Sequence, residues 1–332
     1  MAGRVVPLPV PRLCGSAQLQ GAICTGGDCA DVQWTPGDAA LLLWERPARG
    51  PRLRWYSPRG ELLGEVNECK LMRSAFVSPT SQFVAVGCFD GSLHLVNSMT
   101  MKPMAQLAHD VKVACFEADE ADVTVWREEV VKRDTPEATL GVLDPGCSVR
   151  YFQLPNPATT RIPEERPGAE PTIDIDGLPR KGVGTVVWSP DERYIASKHD
   201  GMPTAVWVWD LARLALVAVL LHRTPVRSFA WDPLGGLGSG TPRLAVATVD
   251  PLLFTWLPGS ASTLPCPFSA ARLLWRIDGK ALLLQERERA CIFWVEPPTL
   301  QAAEVAATDR PAAGSLARLS VKAQSRDLGR TS

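Results

Sequence analysis

VVWSPDERYIASKHDGMPTAVWVWD, residues 186–210, holds three short apolar runs separated by two tight polar turns. Val186, Val187 and Trp188 form the first run, and Ser189-Pro190-Asp191-Glu192 turns out of it. Residues 194–197 form the second, followed by Lys198-His199-Asp200-Gly201. Residues 205–209 form the third, which closes in Trp209-Asp210. Runs this short, bounded by turn residues and rich in β-branched and aromatic side chains, read as strands. Trp207 and Trp209 have the same parity, so they share one face of their strand. Three short strands ending in Trp-Asp carry the signature of a propeller blade.

The unit recurs. A first copy starts at residue 31, turns after Trp34, and continues through 41–44, 53–56 and 61–66. A second runs through 74–79, 82–87, 92–97 and 104–107. Its turn at 88–91 centres on Asp90-Gly91, hairpin chemistry because glycine accepts a positive φ. A fourth occupies 226–233, 243–248 and 252–257, and a fifth 271–275, 281–284 and 290–295. The aromatic ending each first strand sets the period. Trp34 to Phe76 is 42 residues, Trp188 to Trp231 is 43, and Trp231 to Trp275 is 44. Blades repeat about every 40–45 residues. The reading is therefore all-β, a WD40 β-propeller of five clear blades. A blade has two apolar faces and satisfies both only by stacking on others, which predicts that the tryptophans and Asp210 serve as blade architecture.

Phe76 to Trp188 spans 112 residues, too long for two blades and too short for three. Apolar runs at 111–116, 123–126 and 148–154 are expected to form one degenerate blade over 108–154. It would carry a Pro-rich insert at 155–181, which holds six prolines and many charges. Residues 1–30 read as an irregular leader, 31–296 as the repeats, and 297–332 as a disordered tail without a strand pattern. Nothing before residue 31 supplies a strand to clasp the last blade. That leaves open an incomplete ring, or one completed by another segment.

Composition narrows the function. Of 332 residues 45% are hydrophobic, and the net charge of −1 shows no basic excess for nucleic acid or an anionic membrane. Eleven Trp against three Tyr fits a repeated Trp position. Three prolines in positions 7–11 break any signal-peptide apolar region. The longest apolar run, LALVAVLL at 214–221, is far shorter than the ~18 residues of a membrane span. These features point to a soluble, intracellular protein. Nine cysteines contain no C-x-x-C pair, so free thiols are expected. Cys24 and Cys29 lack a second pair for zinc.

Catalytic patterns are missing from the sequence. The histidines at 94, 109, 199 and 222 are scattered, no phosphate-loop motif occurs, and the glycines at 235–240 precede a strand rather than a helix. The acidic stretch 117–122 lacks calcium-loop spacing. No cofactor or metal is implied. A protein-binding scaffold is expected; the alternative is a propeller enzyme or small-ligand binder with its site at the central channel. For a scaffold, contacts belong on loops, because the strands are committed to packing. The candidate loops are Cys88, Phe89 and Asp90; Lys198, His199, Asp200 and Met202; and the approach Arg223 and Arg227. Arg243 could add to a basic rim, with Asp232 and Asp250 nearby.

Several blocks also resemble one family. They are SPTSQFVAVGCFDGSLHL (78–95), VGTVVWSPDERYIASKHDGMPTAVWVWDLARL (183–214), PVRSFAWDP (225–233) and residues 243–257, in that order and spacing. The family is that of centrosomal and spindle-pole WD-repeat proteins, the WD repeat-containing protein eight or p53-antisense WD-repeat family. The resemblance covers roughly residues 31–296. Family members carry further repeats before the first block, so the chain looks like a shortened form. The resemblance implies a cytoplasmic, non-enzymatic scaffold at the centrosome or spindle pole. It also implies a coiled-coil partner similar to the afadin- and alpha-actinin-binding protein, and roles in anchoring microtubules, spindle assembly and cilium formation.

Overall fold

The structure, a computed structural model, describes residues 29–45, 52–67, 69, 71–113, 123–132, 147–155, 160–165, 173, 181–235, 240–295 and 323–325. Apart from a single 3₁₀ turn at Pro36–Asp38, its regular elements are strands, arranged in five sheets. The first sheet comprises β1 (Cys29–Trp34), β2 (Leu41–Glu45), β3 (Leu53–Tyr56) and β4 (Leu62–Val66). The second comprises β5 (Met72–Val77), β6 (Phe83–Cys88), β7 (Ser92–Asn97) and β8 (Lys102–Ala108). Both are antiparallel meanders, as are the fourth and fifth sheets below.

The third sheet has six strands rather than four. β9 (Thr124–Lys132) and β10 (Cys147–Gln153) form a hairpin. It adds to the outer edge of β11 (Val183–Trp188), β12 (Tyr194–His199), β13 (Ala205–Asp210) and β14 (Ala215–Leu221). β9 runs parallel to β14, pairing Val125 with Val219 and Trp126 with Leu220. The degenerate blade expected over 108–154 is thus not a separate blade. The edge of β14 offers unpaired backbone groups that β9 satisfies. The alternation of Val125 and Trp126 also extends the two apolar layers of that sheet. Of the run expected as a strand at 111–116, Lys112 forms one isolated bridge with Arg161, and residues 114–116 lie outside the described residues.

β15 (Val226–Trp231), β16 (Leu244–Thr248), β17 (Leu252–Leu257) and β18 (Ser260–Pro265) make the fourth sheet. The fifth joins β19 (Arg272–Trp275), β20 (Ala281–Gln285) and β21 (Ala290–Trp294) to β22 (Ala323–Ser325). β22 falls in the tail where no strand is expected; Ala323 pairs with Phe293 and Ser325 with Cys291. The leader before residue 29 and most of the tail and Pro-rich insert lie outside the described residues.

The sheets stack in chain order because their strands are apolar on both faces. Along β13, Ala205, Trp207 and Trp209 enter a core shared with the second sheet, while Val206 and Val208 enter one shared with the fourth. Trp207 and Trp209 do share a face. At the three later junctions the periodic aromatic is a tryptophan that also fastens the sheets. Trp188 Nε1 donates to the Phe76 carbonyl at 3.0 Å, Trp231 Nε1 to Val187 at 3.0 Å, and Trp275 Nε1 to Ala230 at 3.1 Å. Each of these three indoles thus bonds the first strand of the preceding sheet. Asp210 is buried and accepts from the Ala212 backbone at 2.9 Å, holding the turn after β13.

The reading of every tryptophan as core fails at the two ends of the stack. Trp34 on the first sheet and Trp294 on the fifth are each 40% exposed. They lie on faces that no other described sheet covers, and no apolar cluster among the described residues joins the first sheet to the fifth. The basic rim proposed for Arg243 is also corrected. Its guanidinium is buried, pairs with Asp232 at 2.5 Å and bonds the Gly279 carbonyl at 3.2 Å, tying the fourth sheet to the fifth.

Candidate functional site

In a meander, alternate turns emerge at the same end of the sheet. The β6–β7 turn, the β12–β13 turn and the chain leaving β8 and β14 therefore gather at one end of the stack. Backbone bonds connect them. His109 N donates to the Gly91 carbonyl at 3.2 Å, Asp200 N to Gly182 at 2.9 Å, and Val226 N to Pro203 at 2.8 Å. Close approach of the second and third sheets depends on glycine. A Cβ at Gly87 would lie 2.2 Å from the Val183 carbonyl oxygen, and one at Gly182 would lie 2.5 Å from that of Cys88. The Asp90-Gly91 turn forms as expected, with φ of 87° at Gly91 and Asp90 Oδ1 accepting from Ser92 N at 2.9 Å.

This packing brings the two predicted turns together. Arg73 Nη2 pairs with Asp200 Oδ2 at 2.8 Å, and Arg73 Cζ sits 5.5 Å from the centre of the Phe89 ring. Lys181 pairs with Glu165, whose backbone N bonds the Gly201 carbonyl at 2.9 Å. Asp90 is exposed, and Phe89, His199 and Asp200 are half-buried. Cys88 and Met202, expected on this face, are instead buried in the core, where their side chains cannot meet a partner. Burial pushes the Cys88 thiol up to about 12. Lys198 is tied inward, its Nζ donating to the Val226 carbonyl at 3.1 Å, and burial lowers its pKa. His199 is also shifted down, by burial foremost. Arg223 and Arg227 are exposed at the same end, beside β14 and on β15.

Beneath the turns runs a buried chain of hydrogen bonds that the sequence reading missed. Trp209 Nε1 donates to Ser197 Oγ at 2.9 Å, and Ser197 Oγ lies 2.7 Å from His109 Nε2. His109 Nδ1 lies 2.9 Å from the Gly91 carbonyl. That carbonyl can only accept, so Nδ1 carries the proton and Nε2 accepts from Ser197. Burial drives His109 down to about 3 and keeps it neutral. His109 belongs to the third repeat, although the intervening residues 110–182 separate it from β11. The signal was available, since a histidine ahead of the first strand accompanies Trp-Asp in such repeats, but it stands 100 residues before Trp209. Arg73, Lys181 and Glu165 carried no such signal; their roles come from contacts between sheets.

Among the described residues no group of three or more His, Cys, Asp or Glu is placed to hold a metal ion, and no helix is long and apolar enough to cross a membrane. Cys29, Cys69, Cys88, Cys266 and Cys291 are free thiols.

Comparison with known proteins adds to the repeats and sheets. No family model matches the chain. The chain is similar to the mouse WD repeat-containing protein WRAP73, with 29% identity over 285 residues, covering 81% of this chain and 57% of that protein. The chain thus spans little more than half the length of this relative. The Cps50 (Swd1) β-propeller domain of Myceliophteria thermophila aligns with a TM-score of 0.45 and 10% identity, over 89% of this chain and 71% of that one. The 40–45-residue repeat, the stacked sheets and the similarity to WRAP73 make this an all-β WD-repeat protein.

Proposed function

We propose that the chain is a non-catalytic WD-repeat scaffold acting at the centrosome or spindle pole. There it would bind a coiled-coil partner similar to the afadin- and alpha-actinin-binding protein and support microtubule anchoring, spindle assembly and cilium formation. The similarity to WRAP73 over most of the chain carries this reading. The loop face supports it. Phe89, Asp90, His199, Asp200, Arg223 and Arg227 reach the surface at one end of the stack, while the strands beneath are committed to the core.

The test is affinity capture from cell extract. Arg223→Glu with Arg227→Glu is expected to lower recovery of the coiled-coil partner several-fold while the melting temperature stays unchanged, because both side chains are exposed. Equal recovery by parent and variant counts against this surface. Absence of any centrosomal partner from the parent's capture counts against the reading itself.

A further inference from the structure

The first strands of the second, third and fourth sheets share one irregularity. Each carries a bulge after its first residue, at Arg73 in β5, Gly184 in β11 and Arg227 in β15. A bulge takes its residue out of the ladder and re-aims the side chain. Where the second sheet meets the third, the re-aimed arginine is answered from within the molecule. Arg73 crosses over Gly184, where a Cβ would lie 2.9 Å from its Nε, and pairs with Asp200 at 2.8 Å. Asp200 stands in the turn just after β12.

The junction of the fourth and fifth sheets repeats this frame with different charges. Trp275 pairs with Leu282 as Trp188 pairs with Ile195, so Ala271 takes the place of Gly184 along the chain and Arg287 the place of Asp200. The two sheets meet at this end. Ser269 Oγ donates to the Thr248 carbonyl at 3.2 Å, Thr248 pairs with Val226 beside Arg227, and Ala271 N donates to the Gln285 carbonyl at 2.8 Å. Ala271 is exposed, whereas Gly184 is half-buried beneath Arg73. Arg227 and Arg287 are both exposed, and neither has a carboxylate at ion-pair distance among the described residues. Of the acids in the turn after β20, Glu286 pairs with Arg289 at 2.6 Å, and Glu288 is exposed and in no ion pair among the described residues. This junction therefore keeps the bulged arginine and sets a second arginine where the answering acid stands at the other. Neighbouring cations without an internal counter-charge attract an anionic group from outside.

We propose that the junction of the fourth and fifth sheets docks an acidic segment of a protein partner. One carboxylate of that segment meets Arg227 as Asp200 meets Arg73, and Arg287 is the second cation of the site. The assignment rests on the scaffold reading and names the chemistry of its partner.

The experiment measures binding of the fluorescent pentapeptides Ser-Glu-Glu-Glu-Ser and Ser-Gln-Gln-Gln-Ser to the full chain by anisotropy, at a salt concentration of about 0.02 M where exposed charges are least screened. The parent is expected to bind the glutamate peptide about fivefold or more tightly than the glutamine one, the scale of an exposed charge pair. Arg227→Gln should lose that preference. Arg287→Asp, which puts an acid in the place of Asp200, should lose it too. Arg213→Gln is the control, because Arg213 is exposed in the turn after β13 at the opposite end of the stack, and it should leave the preference unchanged. All three side chains are exposed, so the melting temperature should hold in each variant. A parent that does not distinguish the two peptides overturns the site. So does a preference that survives Arg227→Gln or Arg287→Asp, or one that Arg213→Gln lowers as much as they do. Partner capture run in parallel separates the two readings. Capture by the parent that persists beside a failed peptide test removes this site and leaves the scaffold standing.

Discussion

β13 and β21 have nearly the same sequence character, yet they meet different environments. AVWVWD in β13 and ACIFW in β21 are both apolar on both faces. In β13 every residue is buried, with Val206 and Val208 wholly inaccessible. In β21, Cys291 and Phe293 are buried against the fourth sheet, while Ile292 and Trp294 are 41% and 40% exposed. Leu274 on β19, on the same side as Ile292, is 44% exposed. An apolar alternation therefore specifies that a strand can be covered on both faces. Whether it is covered depends on a neighbouring sheet.

The largest test of this contrast is Trp209→Ala. The ring is buried in the core between the second and third sheets and bonded to Ser197, so the variant should lose about 3–5 kcal/mol in chemical denaturation. Next in size, per histidine and per pH unit, is the effect of acid. His109 and His222 have folded-state values near 3, below the ordinary 6.5, so the unfolded chain binds protons that the folded chain refuses. Their contribution to stability is complete above about pH 6.5 and is lost as pH falls toward 3. The loss reaches up to about 1.4 kcal/mol per pH unit for each histidine. His109→Gln should flatten that slope relative to the parent in denaturation series at pH 7, 5 and 4; an unchanged slope would remove His109 from the account.

A smaller effect is expected from Trp231→Phe, which keeps most of the ring but removes the donor to Val187. It should cost about 1 kcal/mol, the scale of one hydrogen bond. The junction of the first and second sheets already carries the phenyl version, Phe76, with no indole donor. Smallest of all is Trp294→Ala, expected to stay within about 0.5 kcal/mol because the ring is half out in solvent beneath Arg276. A loss there close to that of Trp209→Ala would show the fifth sheet's outer face to be covered in solution.

Much of the fold was legible before any coordinates. The aromatic period, the Asp90-Gly91 turn and the shared face of Trp207 and Trp209 are consequences of local chemistry and strand geometry. The hairpin was not legible, because VTVW at 123–126 reads the same whether it starts a blade or joins the edge of one. The candidate site was half legible. Turn residues can be named from sequence, but Cys88 and Met202, beside or within such turns, are buried. Arg243 shows that a charge can be spent on an internal pair.

The sequence alone determined the repeat, and with it the strand-rich architecture and the need for each sheet to stack, because periodic apolar residues on both faces admit no other stable use. Only the tertiary structure decided which faces found neighbours. It also carried His109 across residues 110–182 to Ser197 and set Glu128 against Arg223 with one oxygen unmet. Those outcomes join residues that are far apart along the chain, and no local pattern encodes such distances.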